Sequence, residues 1–197
     1  PLYSSAASDV YKRQEVLRRD ILMLKELYAD EGYAYAEVIP ITKENDKEHL
    51  VDIAYDISKK KRVRFERINI TGNSVTRDKV IRRELEVTEE DFYSGTKLRK
   101  STRNLHRLGY FDDIKITDRE GSRDDLMVLD VQVKERPTGI FSVGAGYSSF
   151  DKAIGMLHVS FNNFRGKGQK LAGQAAIGGR TSEFTISFTE PWLFDKP

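Results

Sequence analysis

The chain has 197 residues, with 33 Lys and Arg against 31 Asp and Glu and a net charge of +2, so no basic surplus points to nucleic acid. It contains no cysteine, which removes disulfides, thiolate zinc sites and cysteine nucleophiles together. No apolar run approaches the roughly 20 residues that a membrane-spanning helix needs.

Residues 1–14 resemble a translated sequencing-adaptor read-through. They show no periodicity of their own and are expected to be irregular and to carry no function. From Glu15 to Asp30 the apolar residues Val16, Leu17, Ile21, Leu24 and Leu27 recur at three- and four-residue spacing, which predicts an amphipathic helix stopped by Gly32. Tyr35–Thr42 reads as a strand whose Pro40 suits an edge position. After a charged turn, Leu50–Ile57 reads as a second strand with Val51, Ile53, Tyr55 and Ile57 on one face. A basic run, 59–64, leads into a new unit. Its elements are a strand at Val63–Thr71, a turn at Gly72-Asn73 and a helix at Arg77–Leu85. A helix at Lys97–Leu108, capped by Thr96 and stopped by Gly109, follows. Strands at Asp112–Asp118 and Leu126–Lys134 close the unit, whose order is β-α-α-β-β. The two units repeat each other. Helix, Gly32-Tyr33, strand, turn and Val51-Asp52-Ile53 match helix, Gly109-Tyr110, strand, turn and Leu129-Asp130-Val131. The first unit lacks a leading strand and helix, so both ends of the chain read as cut.

The pattern changes at Arg136-Pro137-Thr138-Gly139. Beyond it Phe141, Val143, Ala145 and Tyr147 alternate with Ser142, Gly144, Gly146 and Ser148. Phe184, Ile186 and Phe188 alternate with Thr185, Ser187 and Thr189. Successive strands with one greasy and one small or polar face are how a transmembrane β-barrel reads. Four are expected, at about 139–148, 153–163, 169–179 and 183–190, with Leu157, Val159 and Phe161 toward lipid and His158, Ser160 and Asn162 toward a lumen.

Several segments carry a family resemblance. Phe65-Glu66-Arg67-Ile68-Asn69-Ile70-Thr71-Gly72-Asn73, Val80-Ile81-Arg82-Arg83-Glu84-Leu85 and Leu105-His106-Arg107-Leu108-Gly109-Tyr110-Phe111 resemble a POTRA domain. Gly144-Ala145-Gly146-Tyr147, Asn163-Phe164-Arg165-Gly166-Lys167-Gly168 and Phe188-Thr189-Glu190-Pro191-Trp192 are similar to the opening strands of the Omp85 barrel. The resemblance is to BamA-like members of that family. It implies an α+β fold of POTRA repeats followed by the first antiparallel strands of a truncated transmembrane β-barrel. Residues 15–61 would form a partial POTRA domain, 62–136 a complete one, and 139–197 about four barrel strands. The implied role is insertion of β-barrel proteins into the bacterial outer membrane, with the POTRA domains in the periplasm. The implied partners are unfolded outer-membrane protein clients, periplasmic Bam lipoproteins and outer-membrane lipids, with no nucleic acid and no cofactor. A polypeptide translocation pore of the same superfamily (two-partner secretion or autotransporter assembly type) is one alternative. A soluble periplasmic scaffold, with the last strands in a sandwich, is another.

Three candidate sites follow. The glycine- and serine-rich strand Gly139, Phe141, Ser142, Val143, Gly144, Gly146 and Tyr147 reads as a weakly paired seam that templates a client strand, or as a packed wall needing small residues. Asp112, Ile114, Ile116 and Asp118 mark a strand edge for β-augmentation, and Asp112 and Asp113 are gatekeepers against aggregation instead of or beside that role. Arg82, Arg83, Glu84 and Glu89 form a mixed-charge patch that the resemblance makes a docking face for a lipoprotein, and that is otherwise a solvated helix face. The basic run at 59–64 could meet anionic lipid or serve as a hinge. His49, His106 and His158 lie in three different segments without ligand spacing, and Gly144-Ala145-Gly146 lacks the rest of a dinucleotide fingerprint. The chain is therefore expected to hold no metal and to be no enzyme.

Overall fold

The computed structural model describes residues 3–45 and 50–193, with side chains described for 14–43 and 51–193. Pro1, Leu2, His49 and residues 194–197 lie outside them. The order is α1 (Tyr3–Asp30), β1 (Glu37–Asn45), β2 (Leu50–Ser58), β3 (Arg64–Thr71), α2 (Asp78–Arg82), α3 (Gly95–Leu108), β4 (Phe111–Glu120) and β5 (Leu126–Glu135), then β6 (Gly139–Ser148), β7 (Lys152–Phe164), β8 (Gln169–Ile177) and β9 (Ser182–Thr189). Strands β1 and β2 form a two-stranded sheet, β3-β5-β4 a three-stranded one, and β6-β7-β8-β9 a four-stranded antiparallel one.

Two expectations need correcting. Residues 3–14, set aside as irregular, continue α1. No Gly or Pro interrupts the chain between Leu2 and Gly32, so nothing local stops the helix from extending backwards. The helix expected over 77–85 is a five-residue turn of α-helix, Asp78–Arg82. Beyond it Glu84 N–H bonds the Ile81 carbonyl and Leu85 N–H the Arg82 carbonyl. Those three-residue spacings tighten the chain into a 3₁₀-like exit.

The chain divides into two compact units, 1–68 with 86–100 and 117–129, and 69–85 with 101–116 and 130–197. The core of the first unit includes Val38, Val63, Phe65, Ile68, Val87, Met127 and Leu129; that of the second includes Val80, Ile81, Leu105, Tyr110, Phe111, Val131 and Val133. Leu129, Val131 and Val133 fall at every second position of β5, as a strand with one buried face requires. In the first unit, Val38 faces Ile57 and Pro40 faces Tyr55 across the hairpin. Pro40 lacks an N–H and sits in a strand with one partner among the described residues, the edge setting in which proline is tolerated.

Each repeat is closed by the same device. Arg62 donates from Nε to the Glu31 carbonyl at 2.8 Å, and Val63 N–H bonds the Gly32 carbonyl at 2.8 Å. Arg136 donates from Nε to the Gly109 carbonyl at 2.8 Å, and its own N–H bonds the Tyr110 carbonyl at 3.0 Å. Gly32 and Gly109 both adopt positive φ, 102° and 69°, and so end α1 and α3. An arginine at the end of each repeat thus returns to the glycine turn behind its long helix.

Candidate functional site: an apolar strand face, two open edges and a seated turn

Directly paired residues of an antiparallel sheet point to the same side. The register of the four-stranded sheet therefore sorts its residues into two faces. Rows Phe141–Val159–Gly173–Ile186, Val143–Leu157–Ala175–Phe184 and Gly139–Phe161–Leu171–Phe188 run across one of them. Ser142–His158–Gln174–Thr185 and Ile140–Ser160–Ala172–Ser187 run across the other. The first face carries no polar side chain in those rows. It is open as well, with Val143 72% and Ile186 82% exposed. A continuous apolar surface of this kind is unfavourable in water and at rest against lipid.

The seam residues Gly139, Phe141, Ser142, Val143, Gly144, Gly146 and Tyr147 all lie on β6, which pairs only with β7 among the described residues. Its other edge presents unpaired backbone donors and acceptors. Strand β4 is likewise an edge of its sheet. Of the residues expected there, Asp112 and Asp118 are exposed, Ile116 is half-buried and Ile114 is buried. Phe111 and Ile114, three apart, are both buried, so the alternation expected from Asp112 onward is broken at its start.

Of the docking-patch residues, Arg82, Arg83 and Glu84 belong to the second unit and Glu89 to the first. Arg82 pairs with Asp78 at 2.6 Å on an exposed helix turn. Glu89, in the loop of the other unit, is exposed and accepts from Ile68 N–H at 3.4 Å. Arg83 and Glu84 correct the expectation of a solvated face, with side chains only 13% and 17% exposed. The Arg83 guanidinium carbon lies 5.1 Å from the Trp192 ring centroid, and its Nε finds no hydrogen-bond partner. Burial raises the Glu84 carboxyl above its ordinary range against the pull of Arg83 and Arg107.

What the spacing did not reveal is the seat of the β7–β8 turn. One extra residue sits in β7 between Phe161 and Phe164, a β-bulge. Bulges re-aim side chains, and this one takes Asn163 out of the ladder. Asn163 is 6% exposed. Its Nδ2 donates to Thr76 Oγ1 at 2.8 Å, and its Oδ1 accepts from Gly168 N–H at 2.8 Å. Arg77 N–H bonds the Gly166 carbonyl at 2.9 Å. Gly166 has φ 70°, and a Cβ there would overlap the Val75 carbonyl. The 74–76 turn is in turn held by Glu135, which accepts from Ser74 Oγ at 2.7 Å, Val75 N–H at 2.9 Å and Thr76 N–H at 2.6 Å. Burial alone would raise this carboxyl, but bonds from Thr76, Ser74 and Val75 outweigh it and hold it at about 2.

In the first unit, the basic side chains of the run at 59–64 are exposed, and they lie over aromatic rings and beside carboxylates. Lys59 Nζ lies 5.0 Å from the Tyr28 ring centroid, and the Arg62 and Arg64 guanidinium carbons lie 3.9 and 4.1 Å from that of Phe92. Lys60 pairs with Glu37, and Lys61 with Asp124 at 3.4 Å. Asp30, at the end of α1, accepts from Ser94 Oγ at 2.8 Å, Thr96 N–H at 2.9 Å and Thr96 Oγ1 at 2.6 Å. Lys97 N–H bonds Ser94 Oγ at 3.2 Å, so Ser94 rather than Thr96 caps α3, with Asp30 supplying the neighbouring acceptor. Among the described residues no group of three or more His, Asp or Glu could hold a metal ion, and no helix is long and apolar enough to cross a membrane.

The POTRA family model, described as surface antigen variable number repeat, matches residues 4–60 and 63–136. The chain is 35% identical over 185 residues to outer membrane protein assembly factor BamA of Nitratidesulfovibrio vulgaris, covering 94% of this chain and 23% of that protein. It is 32% identical over 163 residues to BamA of Neisseria meningitidis, covering 82% of this chain and 20% of that protein. The crystal structure of BamA from Haemophilus ducreyi lacking POTRA domains 1-3 superposes with a TM-score of 0.81 at 26% identity, covering 91% of this chain and 34% of that one. The chain thus spans less than a quarter of the length of these two curated relatives.

Proposed function

The chain belongs to the POTRA family and to its BamA/Omp85 branch, and from that membership we propose that it serves in assembling β-barrel proteins into the bacterial outer membrane. The β6–β9 sheet crosses that membrane as the first strands of a barrel, and the repeats before it stand in the periplasm. Unfolded outer-membrane proteins pair with the open edge of β4 and then with the edge of β6, and periplasmic lipoproteins are partners. No chemical step is needed, because a client strand that leaves water and completes its backbone hydrogen bonds in the bilayer moves downhill. The observation that carries this reading is the apolar face running unbroken across β6–β9 and ending at an unpaired strand edge.

The test is photocrosslinking from Ser142 of β6 in the full-length protein in active membranes. Capture of many different nascent outer-membrane proteins is the expected result. Capture of one secreted polypeptide alone would make the protein a dedicated secretion pore. With no adduct at all, β6 is a packed wall and the templating role falls.

A further inference from the structure

The turn that ends the apolar strands carries a second surface. Arg165 lies in the β7–β8 turn at φ 55° and is exposed. The Arg77 N–H to Gly166 carbonyl bond and the close approach of Gly166 to Val75 place 75–77 beside that turn. Val75 is 65% exposed, although nothing in its loop requires an apolar side chain there. Arg77 is exposed too, and neither Arg77 nor Arg165 forms an ion pair among the described residues. The nearby carboxylates are already engaged. Asp78 holds Arg82, and Glu135 holds the 74–76 turn. Glu190 accepts from Gln169 Nε2 and Trp192 N–H and is drawn by Arg83 and Lys167, which leaves Arg77 and Arg165 as exposed guanidiniums without a carboxylate partner among the described residues.

The height of this patch follows from the strand. Phe161 is the last apolar-face residue of β7 before the bulge, and Arg165 is four residues on. Four residues of strand extend at most about 13 Å. At a tilt of roughly 40° a straight strand would climb at most about 10 Å, and the bulge after Phe161 and the turn at Arg165 bring the rise below that. The polar layer on each side of the hydrocarbon is roughly 5–8 Å deep. An arginine at that height, beside an exposed valine, meets lipid phosphates rather than acyl chains or bulk water.

We propose that Val75, Arg77 and Arg165 form a docking surface for the anionic phospholipid headgroups of the leaflet on the repeat side of the membrane. The two guanidiniums engage phosphate oxygens, for which their planar forks are suited. Val75 dips toward the acyl boundary. This rests on the reading of β6–β9 as membrane-spanning. It also assigns lipid contact to a different place from the basic run at 59–64, where Lys60 and Lys61 already pair with Glu37 and Asp124.

The experiment places an environment-sensitive fluorophore at Val75→Cys in the full-length protein, reconstituted in vesicles of phosphatidylcholine alone or mixed with phosphatidylglycerol. A second preparation carries the probe at Val143→Cys on the apolar strand face. Spin labels at the lipid headgroup should quench the Val75 probe more strongly in the anionic vesicles, and high salt should weaken the effect. The Arg77→Glu/Arg165→Glu pair should reduce headgroup association by roughly fivefold per cation. Glutamine at both positions, which removes the charge without reversing it, should move it the same way. Equal quenching of the Val75 probe by aqueous iodide in both vesicles, with no headgroup quenching, overturns the proposal. If the Val143 probe is meanwhile quenched by labels deep in the acyl chains, only the headgroup surface is lost. If the Val143 probe also escapes them, the membrane-spanning reading falls with it.

Discussion

Replacing Asn163 with Ala should unseat the β7–β8 turn while leaving the strands paired. The side chain makes two bonds of 2.8 Å, to Thr76 Oγ1 and from Gly168 N–H, and all three groups are shielded from water. Two net hydrogen bonds at about 1 kcal/mol each, with a further 1 kcal/mol or so for leaving the Gly168 donor buried without an acceptor, sum to about 3 kcal/mol. At 1.36 kcal/mol per factor of ten, local opening should become roughly 150-fold more frequent. Amide hydrogen exchange of the full-length protein in micelles reads this directly. Peptides covering 75–80 and 164–170 should lose protection together, since the Arg77 N–H to Gly166 carbonyl bond depends on the same seat. Thr76→Val should act in the same direction, and the double variant should cost less than the sum because the pair shares a bond. If exchange in both peptides changes by less than roughly threefold, the seat does not depend on Asn163 and the reasoning from burial is wrong.

Other outcomes follow from the same geometry. Glu135 has its folded pKa lowered from 4.5 to about 2. Its contribution is therefore complete above pH 4.5 and disappears as pH falls through about 2. Exchange in the 73–78 peptide should accelerate across that window, and Glu135→Gln should remove most of this acid dependence. Asp30→Ala takes an acceptor from Ser94 and Thr96 and should destabilise the start of α3 by about 1–2 kcal/mol, seen as faster exchange at 94–98. Val143→Arg places a charge on the apolar face and should cost about 2–4 kcal/mol of barrel stability if it lies near the bilayer midplane. Ser142→Arg, on the opposite face, should be far better tolerated. Equal losses of folded, heat-modifiable protein for the two would reverse the face assignment.

Much of this architecture is legible in the chain itself. The α1 and α3 stops are visible as Gly32 and Gly109, because only a residue without a Cβ takes their positive φ cheaply. The two-residue period of β6 and β9 yields the apolar rows because pairing preserves parity from strand to strand. What stays hidden depends on partners far apart in sequence. Asn163 and Thr76 are 87 residues apart, and nothing near either announces the bond. Asn163-Phe164-Arg165-Gly166 does look like a turn, but a bulge is invisible to a period count. Arg83 and Glu84 read as surface because charge usually is surface. They are largely covered, and Arg83 lies over Trp192, more than a hundred positions on. The run 59–64 reads as open positive charge, and only the folded chain brings Tyr28 and Phe92 under it.

The arginine that closes each repeat has a genetic consequence. Arg62 and Arg136 bond backward, to carbonyls of their own repeat, and the family match breaks between 60 and 63 and ends at 136. A crossover just after either codon would carry the fastener along with the piece it fastens. Tandem copies then multiply or shrink by recombination at these joints with each fastener intact, provided the incoming repeat restores the contacts that cross the joint, those of Arg62 with Phe92 and of Asp30 with Ser94 and Thr96.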